Sequence, residues 1–272
     1  MFWTRLASGI VLLIIALGTM YFGGIPLLIL LLLIGLIAFR ELSKALKCQT
    51  DEKKFNGLEI IGLLGVIGYH AALYFTKDAV WLLMCIVITF LAMMFAYVIG
   101  FPKFSAEQVV AGFFAFMYEP VMMAFVYLTR ESSQGIYMVW LILISAWGCD
   151  TCAYAVGKLI GKKKIFPVLS PHKSLEGCFG GVLGAALIGG LYGQFVVQSA
   201  LPDQPVFIIV ALISAAGAVM SMVGDLAASA IKRNHNIKDY GHLIPGHGGI
   251  MDRFDSMIVT APIVFFLTIL FF

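Results

Sequence analysis

Two short stretches in the last third of the chain place acidic, basic and hydroxyl side chains at helical spacing. In "GDLAASAIKRNH", Asp225, Ser229 and Lys232 are spaced i, i+4, i+7, on one face of a helix. In "MDRFDS", Asp252, Asp255 and Ser256 are spaced i, i+3, i+4. If these helices are neighbours, three carboxylates converge and repel one another unless a cation joins them. Hard oxygen ligands suit Mg²⁺, which takes one or two protein carboxylates plus phosphate oxygens and waters. The carboxylates exceed that number, which leaves room for a second cation. Lys232, Arg233, Lys238 and Arg253 surround them, the side chains that bind phosphate. Attraction to anionic lipid headgroups accounts for the basic residues. It does not account for Asp225, Asp239, Asp252 and Asp255 among them.

The residues between the two stretches fit the same chemistry. In "IPGHGGIMDRFDS", Gly246, Gly248 and Gly249 let backbone approach an anion closely and adopt positive φ. A helix starting just beyond them offers free N–H groups to phosphate, and a plain tight turn is the simpler reading. His247 either donates to a phosphate or fixes that turn. Asp239 is a ligand or a partner of Lys238. A second polar segment, "DTCAYAVGKLIGKKKIFPVLSPHKSLEG", carries Asp150 and Tyr154 at i, i+4 and a basic rim of Lys158 and Lys162 to Lys164. Ser170, Lys173 and Ser174 can donate to phosphate oxygens, although Ser174 also reads as a helix cap.

The elements that must position these residues are membrane helices. Of 272 residues, 61% are hydrophobic and 12% charged, about half the charge of a soluble domain. Apolar runs of about 20 residues, enough to cross a hydrocarbon core of about 30 Å, recur throughout. They predict an all-α polytopic membrane protein with about nine transmembrane helices, at 4–21, 24–41, 57–75, 79–100, 108–128, 136–157, 178–200, 206–227 and 255–272. The reading is a single membrane domain over 1–272. Its N-terminal helices one to five occupy 1–135. The catalytic helices six to nine occupy 136–272, with polar loops at 158–177 and 228–254.

Of the 18 Lys and Arg residues, 16 fall in alternate connections on one face and only Lys77 and Arg130 on the other. The positive-inside rule then makes the N-terminus and the large polar loops cytoplasmic. The first apolar run follows Arg5 without a convincing cleavage site, so a retained helix is expected. The five cysteines suggest reduced thiols rather than a disulfide framework. Cys149 and Cys152 have CxxC spacing without a second pair, a weak indication of metal or redox use. Glu59 is expected to be solvated near its helix start and His70 to be a hydrogen-bonded neutral imidazole. Glu119, followed by Pro120, either faces a polar cavity or is structural.

Over 229–255 the order Ser229, Lys232-Arg233, Lys238-Asp239, Gly241, Pro245, His247-Gly248-Gly249, Asp252-Arg253, Asp255 closely resembles the signature of the phosphatidate cytidylyltransferase (CDP-diacylglycerol synthase) family. The segment 150–177 resembles that family's second recurring block, and the specific resemblance covers roughly 147–256. It implies transfer of CMP from CTP to phosphatidic acid, giving CDP-diacylglycerol and pyrophosphate, with Mg²⁺. On this reading Asp225, Asp252 and Asp255 hold the metal, and Lys232, Arg233, Arg253 and His247 serve the phosphates. Ser170, Lys173, Ser174, Lys238, Asp239, Gly248 and Gly249 complete the substrate site.

The resemblance also implies a homodimer in contact with membrane lipids. The absence of a large soluble extension suits a bacterial inner-membrane enzyme with its site facing the cytoplasm, and no nucleic-acid partner is expected. A CTP-dependent polyprenol or phytol kinase is disfavoured by the full signature. A CDP-alcohol phosphotransferase is disfavoured because the Asp-Gly-x-x-Ala-Arg pattern is absent. A transporter would place charges near the bilayer midplane in related halves of the chain, whereas here they gather in the last third.

Overall fold

The computed structural model describes residues 2–48, 56–243 and 248–272, with side chains from residue 9 onward. His247, Pro245 and Gly246 lie outside the described residues. Among those described, the chain forms nine helices in sequence order. They are α1 (Phe2–Phe22), α2 (Gly24–Ala45), α3 (Gly57–Phe75), α4 (Ala79–Ile99), α5 (Ala106–Arg130), α6 (Gly135–Ile160), α7 (Leu175–Val197), α8 (Val206–Asn234) and α9 (Met251–Phe271). Eight of them are long and apolar enough to span a membrane; of α1, the segment Gly9–Phe22 is apolar but shorter. The boundaries follow sequence chemistry. Asn56, Asp78, Ser105 and Ser174 each accept a backbone N–H from the first turn of α3, α4, α5 and α7. Ser105 and Gln108 form a reciprocal capping box.

Three helices change pitch in mid-course. π-Helical turns occur at Met117–Val121 in α5, around Pro120, at Ile144–Gly148 in α6 and at Gly193–Val197 in α7. A π turn lets a helix absorb an extra residue and re-aim the side chains beyond it. In α6 it immediately precedes Cys149 and Asp150.

The structure divides into two compact units, residues 1–128 with 235–253, and residues 129–234 with 254–272. The polar segment 235–253, grouped by the sequence reading with the C-terminal helices, therefore packs within the first unit.

In the first unit α2 and α3 run antiparallel. Arg40 faces Glu59, Phe39 lies against Gly62, and Gly35 lies against Val66 and His70. Glu59 is not solvated as expected. Its side chain is fully buried and ion-paired with Arg40, Nε to Oε1 3.7 Å, because the antiparallel packing brings a cation to it. The Nδ1 of His70 donates to the Val66 carbonyl at 2.9 Å. Glu119 is fully buried within the π turn of α5.

In the second unit small residues let α6, α7 and α8 approach closely, as membrane helices do where close packing replaces the hydrophobic drive. A Cβ added to Gly181 would sit 2.9 Å from the Cys149 sulfur, and one added to Gly184 2.5 Å from that of Cys152. The CxxC pair thus packs against glycines of α7. α8 and α9 are neighbours here. The Thr260 hydroxyl lies 3.3 Å from the Gly217 carbonyl, and Gly224 packs against Asp255 and Ser256.

Candidate active site

In the second unit, the π turn of α6 and the contact of α8 with α9 bring Asp150, Asp225 and Asp255 within electrostatic reach of one another. Lys173 enters from the loop between α6 and α7, its Nζ 2.5 Å from Asp225 Oδ2. Ser256 binds Asp255 through both its backbone N–H, at 2.8 Å, and its hydroxyl, at 3.3 Å, and it also lies within hydrogen-bonding reach of Asp150. Lys232, on the face of α8 expected from its spacing, acts on Asp255. Three carboxylates thus share two lysines and one serine.

The loop that delivers Lys173 is tied down along its length. Glu176 accepts the backbone N–H groups of Lys162, at 3.0 Å, and Lys163, at 3.3 Å. Lys164 pairs with Ser174 as an isolated antiparallel bridge and donates through Nζ to the His172 carbonyl. The Ser174 oxygen accepts the Gly177 N–H at 3.2 Å, so it caps α7. Behind the loop lies a cavity of about 410 Å³, onto which Asp150, Tyr154, Lys158, Lys164, Ser170, His172, Lys173 and Ser174 open. Three lysines and three hydroxyls, from Tyr154, Ser170 and Ser174, lining one cavity suit a polyphosphate. The cavity gathers Ser170, Lys173 and Ser174, as their sequence neighbourhood predicts.

The signature segment in the first unit is organised by two other carboxylates. Asp252 Oδ2 accepts the N–H groups of Tyr240, at 2.8 Å, and Gly249, at 3.0 Å, folding the segment back on itself. Gly248 has φ +81°, and a Cβ there would come within 2.9 Å of Asp252 Oδ2 and 3.3 Å of Asp239 Oδ1. The conformation and the space both require glycine. Glu41, buried at the end of α2, accepts the N–H groups of Ile250, at 3.2 Å, and Met251, at 2.9 Å. These are donors at the start of α9 that lack partners within the helix. The Glu41 carboxylate also fills the place of a Cβ on Gly241 and on Gly249. Lys238, Arg233 and Arg253 are exposed.

Glu41 is the residue that sequence reasoning missed; Asp150 is singled out with Tyr154 in the sequence but given no role. Asp150 carried a signal, being an acid inside an apolar run. Glu41 reads as an ordinary juxtamembrane acid and gave none.

The donor set fits Mg²⁺ in kind: Asp150, Asp225 and Asp255 offer hard oxygens, and a cation, the Lys173 ammonium, already stands on Asp225. Among the described residues no three His, Cys, Asp or Glu side chains form a ready-made metal cage. Mg²⁺ commonly completes its shell with substrate oxygens and water.

The fold and this site define a helical membrane protein that gathers carboxylates and lysines beside a cavity of about 410 Å³. Residues 3–271 match the model of the cytidylyltransferase family, and the chain belongs to that family. It is 30% identical over 276 residues to a phosphatidate cytidylyltransferase of Bacillus subtilis, covering 98% of this chain and 97% of the relative. It is also 31% identical over 265 residues to one of Staphylococcus saprophyticus and 30% identical over 264 residues to one of Staphylococcus epidermidis, covering 96% of each chain in both cases.

Proposed function

We propose that this protein is a CTP:phosphatidate cytidylyltransferase of the membrane. A phosphate oxygen of phosphatidic acid bonds to the α-phosphorus of CTP, the bond from that phosphorus to the bridging oxygen of the β-phosphate breaks, and pyrophosphate leaves. The lipid phosphate is itself the nucleophile, so the protein must position two anions and offset their charge. The observation that carries this reading is the ion pair of Lys173 with Asp225, set between a carboxylate cluster and a lysine-lined cavity, in a chain that matches the family over nearly its whole length.

Lys158, Lys164 and Lys173 receive the CTP phosphates, with Ser170 and the Ser174 hydroxyl donating to them. Asp225 and Asp255, with Asp150 beside them, would hold Mg²⁺. When bound, the metal supplies Lewis-acid neutralisation of phosphate charge. Asp252, the third ligand suggested by the sequence, is committed to the Tyr240 and Gly249 N–H groups and keeps the signature turn folded. Asp239 shares that turn, and Lys232, Arg233, Lys238, Arg253 and His247 serve the phosphates. The basic face is cytoplasmic in a bacterial inner membrane, and the protein works as a homodimer.

Purified protein in detergent is expected to release pyrophosphate from CTP only when phosphatidic acid and Mg²⁺ are both present, with CDP-diacylglycerol as the lipid product. Formation of CDP with a phosphorylated lipid alcohol would replace this reading with a lipid kinase.

A further inference from the structure

The loop between α6 and α7 closes on itself as a short antiparallel clasp. One arm is residues 162–165, just beyond the end of α6 at Ile160, and the other is residues 173–176, where α7 begins. The Leu175 N–H donates to the Lys163 carbonyl at 2.8 Å, the Ile165 N–H donates to the Lys173 carbonyl at 3.4 Å, and Lys164 pairs with Ser174. Two of the lysines that line the cavity, Lys164 and Lys173, are therefore members of the clasp. The chain between the arms is held by bonds of its own. The Ser170 N–H donates to the Phe166 carbonyl at 2.8 Å and the Lys173 N–H to the Ser170 carbonyl at 3.2 Å.

Glu176 closes the outer end of the clasp. Its Oε2 accepts the Lys162 N–H at 3.0 Å, and the Lys163 N–H is shared between both carboxylate oxygens at 3.3 Å. Hydrogen bonds to an ionised acceptor are roughly twice as strong as neutral ones. The helix ends meet here with no side chain between them, since a Cβ on Gly161 would fall 2.4 Å from the Ser174 hydroxyl oxygen. Glu176 does not line the cavity, so any effect on a nucleotide must travel through the clasp. Attraction to the start of α7 accounts for an acid in its first turn. It does not account for two N–H groups brought to that acid from across the loop.

We propose that Glu176 is a positioning residue for the nucleotide: it fixes the 162–165 arm, and that arm fixes the backbone of Lys173, whose ammonium stands on Asp225. This rests on the proposed activity. Lys173 comes from a loop, and a lysine is a point charge on a flexible four-carbon stem. Its backbone must be held in place for that charge to meet a phosphate at a fixed position. Without the carboxylate, water takes over the Lys162 and Lys163 donors and the clasp opens from its outer end.

The test measures CTP binding to the full-length protein in detergent with Mg²⁺, together with turnover and hydrogen exchange along the loop. Glu176→Ala is expected to weaken CTP binding about tenfold, to raise KM for CTP by a similar factor, and to leave KM for phosphatidic acid unchanged. Exchange should quicken at Lys162, Lys163 and Ile165. Glu176→Gln, which keeps one acceptor oxygen, should recover part of each loss. In a Lys173→Gln background, Glu176→Ala should weaken CTP binding by less than about twofold further, because it acts through Lys173. A full tenfold loss in that background, or a rise in KM for both substrates, overturns the proposal. Unchanged exchange at Ile165 in Glu176→Ala overturns it as well. Quickened exchange in a protein whose unmodified chain binds no CTP supports the clasp and overturns the enzymatic reading.

Discussion

The two clusters of carboxylates differ in what satisfies them. In the first unit, Glu41 and Asp252 are met by backbone: four N–H groups, from Tyr240, Gly249, Ile250 and Met251, point at two side chains. In the second unit, Asp150, Asp225 and Asp255 face one another and are met by Lys173, Lys232 and Ser256. A carboxylate held by backbone N–H groups fixes a fold, since its partners cannot leave without unravelling a turn. Carboxylates met by lysine side chains can exchange those partners without unravelling a turn, so a metal ion and phosphates can take the lysines' place. The first cluster therefore shapes the signature segment, and under the proposed function the second is the one that handles charge during the reaction.

Mutations separate these roles. Asp225→Asn removes the charge on which Lys173 stands and on which the proposed metal would depend, and turnover at saturating CTP should fall about a thousandfold, with the Mg²⁺ requirement altered. Lys173→Gln should lower kcat/KM for CTP about a hundredfold, because a charge-assisted contact to phosphate is lost and Asp225 is left without its partner. A loss of similar size in Lys162→Gln, whose side chain does not line the cavity, would show that the loss reflects loop charge in general. Glu41→Ala should act through structure. Leaving the N–H groups of Ile250 and Met251 without acceptors costs about 1–3 kcal/mol, read as faster hydrogen exchange at 250–251 and about a tenfold drop in turnover. Partial recovery in Glu41→Gln, which retains one acceptor oxygen, would distinguish positioning from charge. Gly248→Ala is the mildest, about 1 kcal/mol of strain at positive φ, visible as a modest rise in KM with Mg²⁺ dependence unchanged.

Much of the fold is legible in the sequence because a span is set by length and composition alone. The starts and ends of α3 and α4 lie within a residue of their apolar runs. α8 runs further than hydropathy predicts, to Asn234, since a polar helix leaving the membrane carries no apolar signal. The site is half legible. Asp225, Lys232, Asp255 and Ser256 declare themselves by spacing, and Gly248 by a residue type that only a special backbone demands. Glu41 could not be found in this way. Its partners lie about two hundred positions downstream, and only the packing of α2 against the signature segment brings them together. The burial of Glu59 escaped for the same reason, because its partner Arg40 stands on another helix.

The most direct test of the central claim is Mn²⁺ binding, followed by electron paramagnetic resonance, to the full-length protein in detergent with CTP present, comparing the unmodified chain with Asp225→Asn. Assignment of the metal to the second unit predicts a tight Mn²⁺ site in the unmodified chain that Mg²⁺ displaces and Asp225→Asn abolishes, while hydrogen exchange at 250–251 stays unchanged. Equal Mn²⁺ affinity in the two proteins would contradict it.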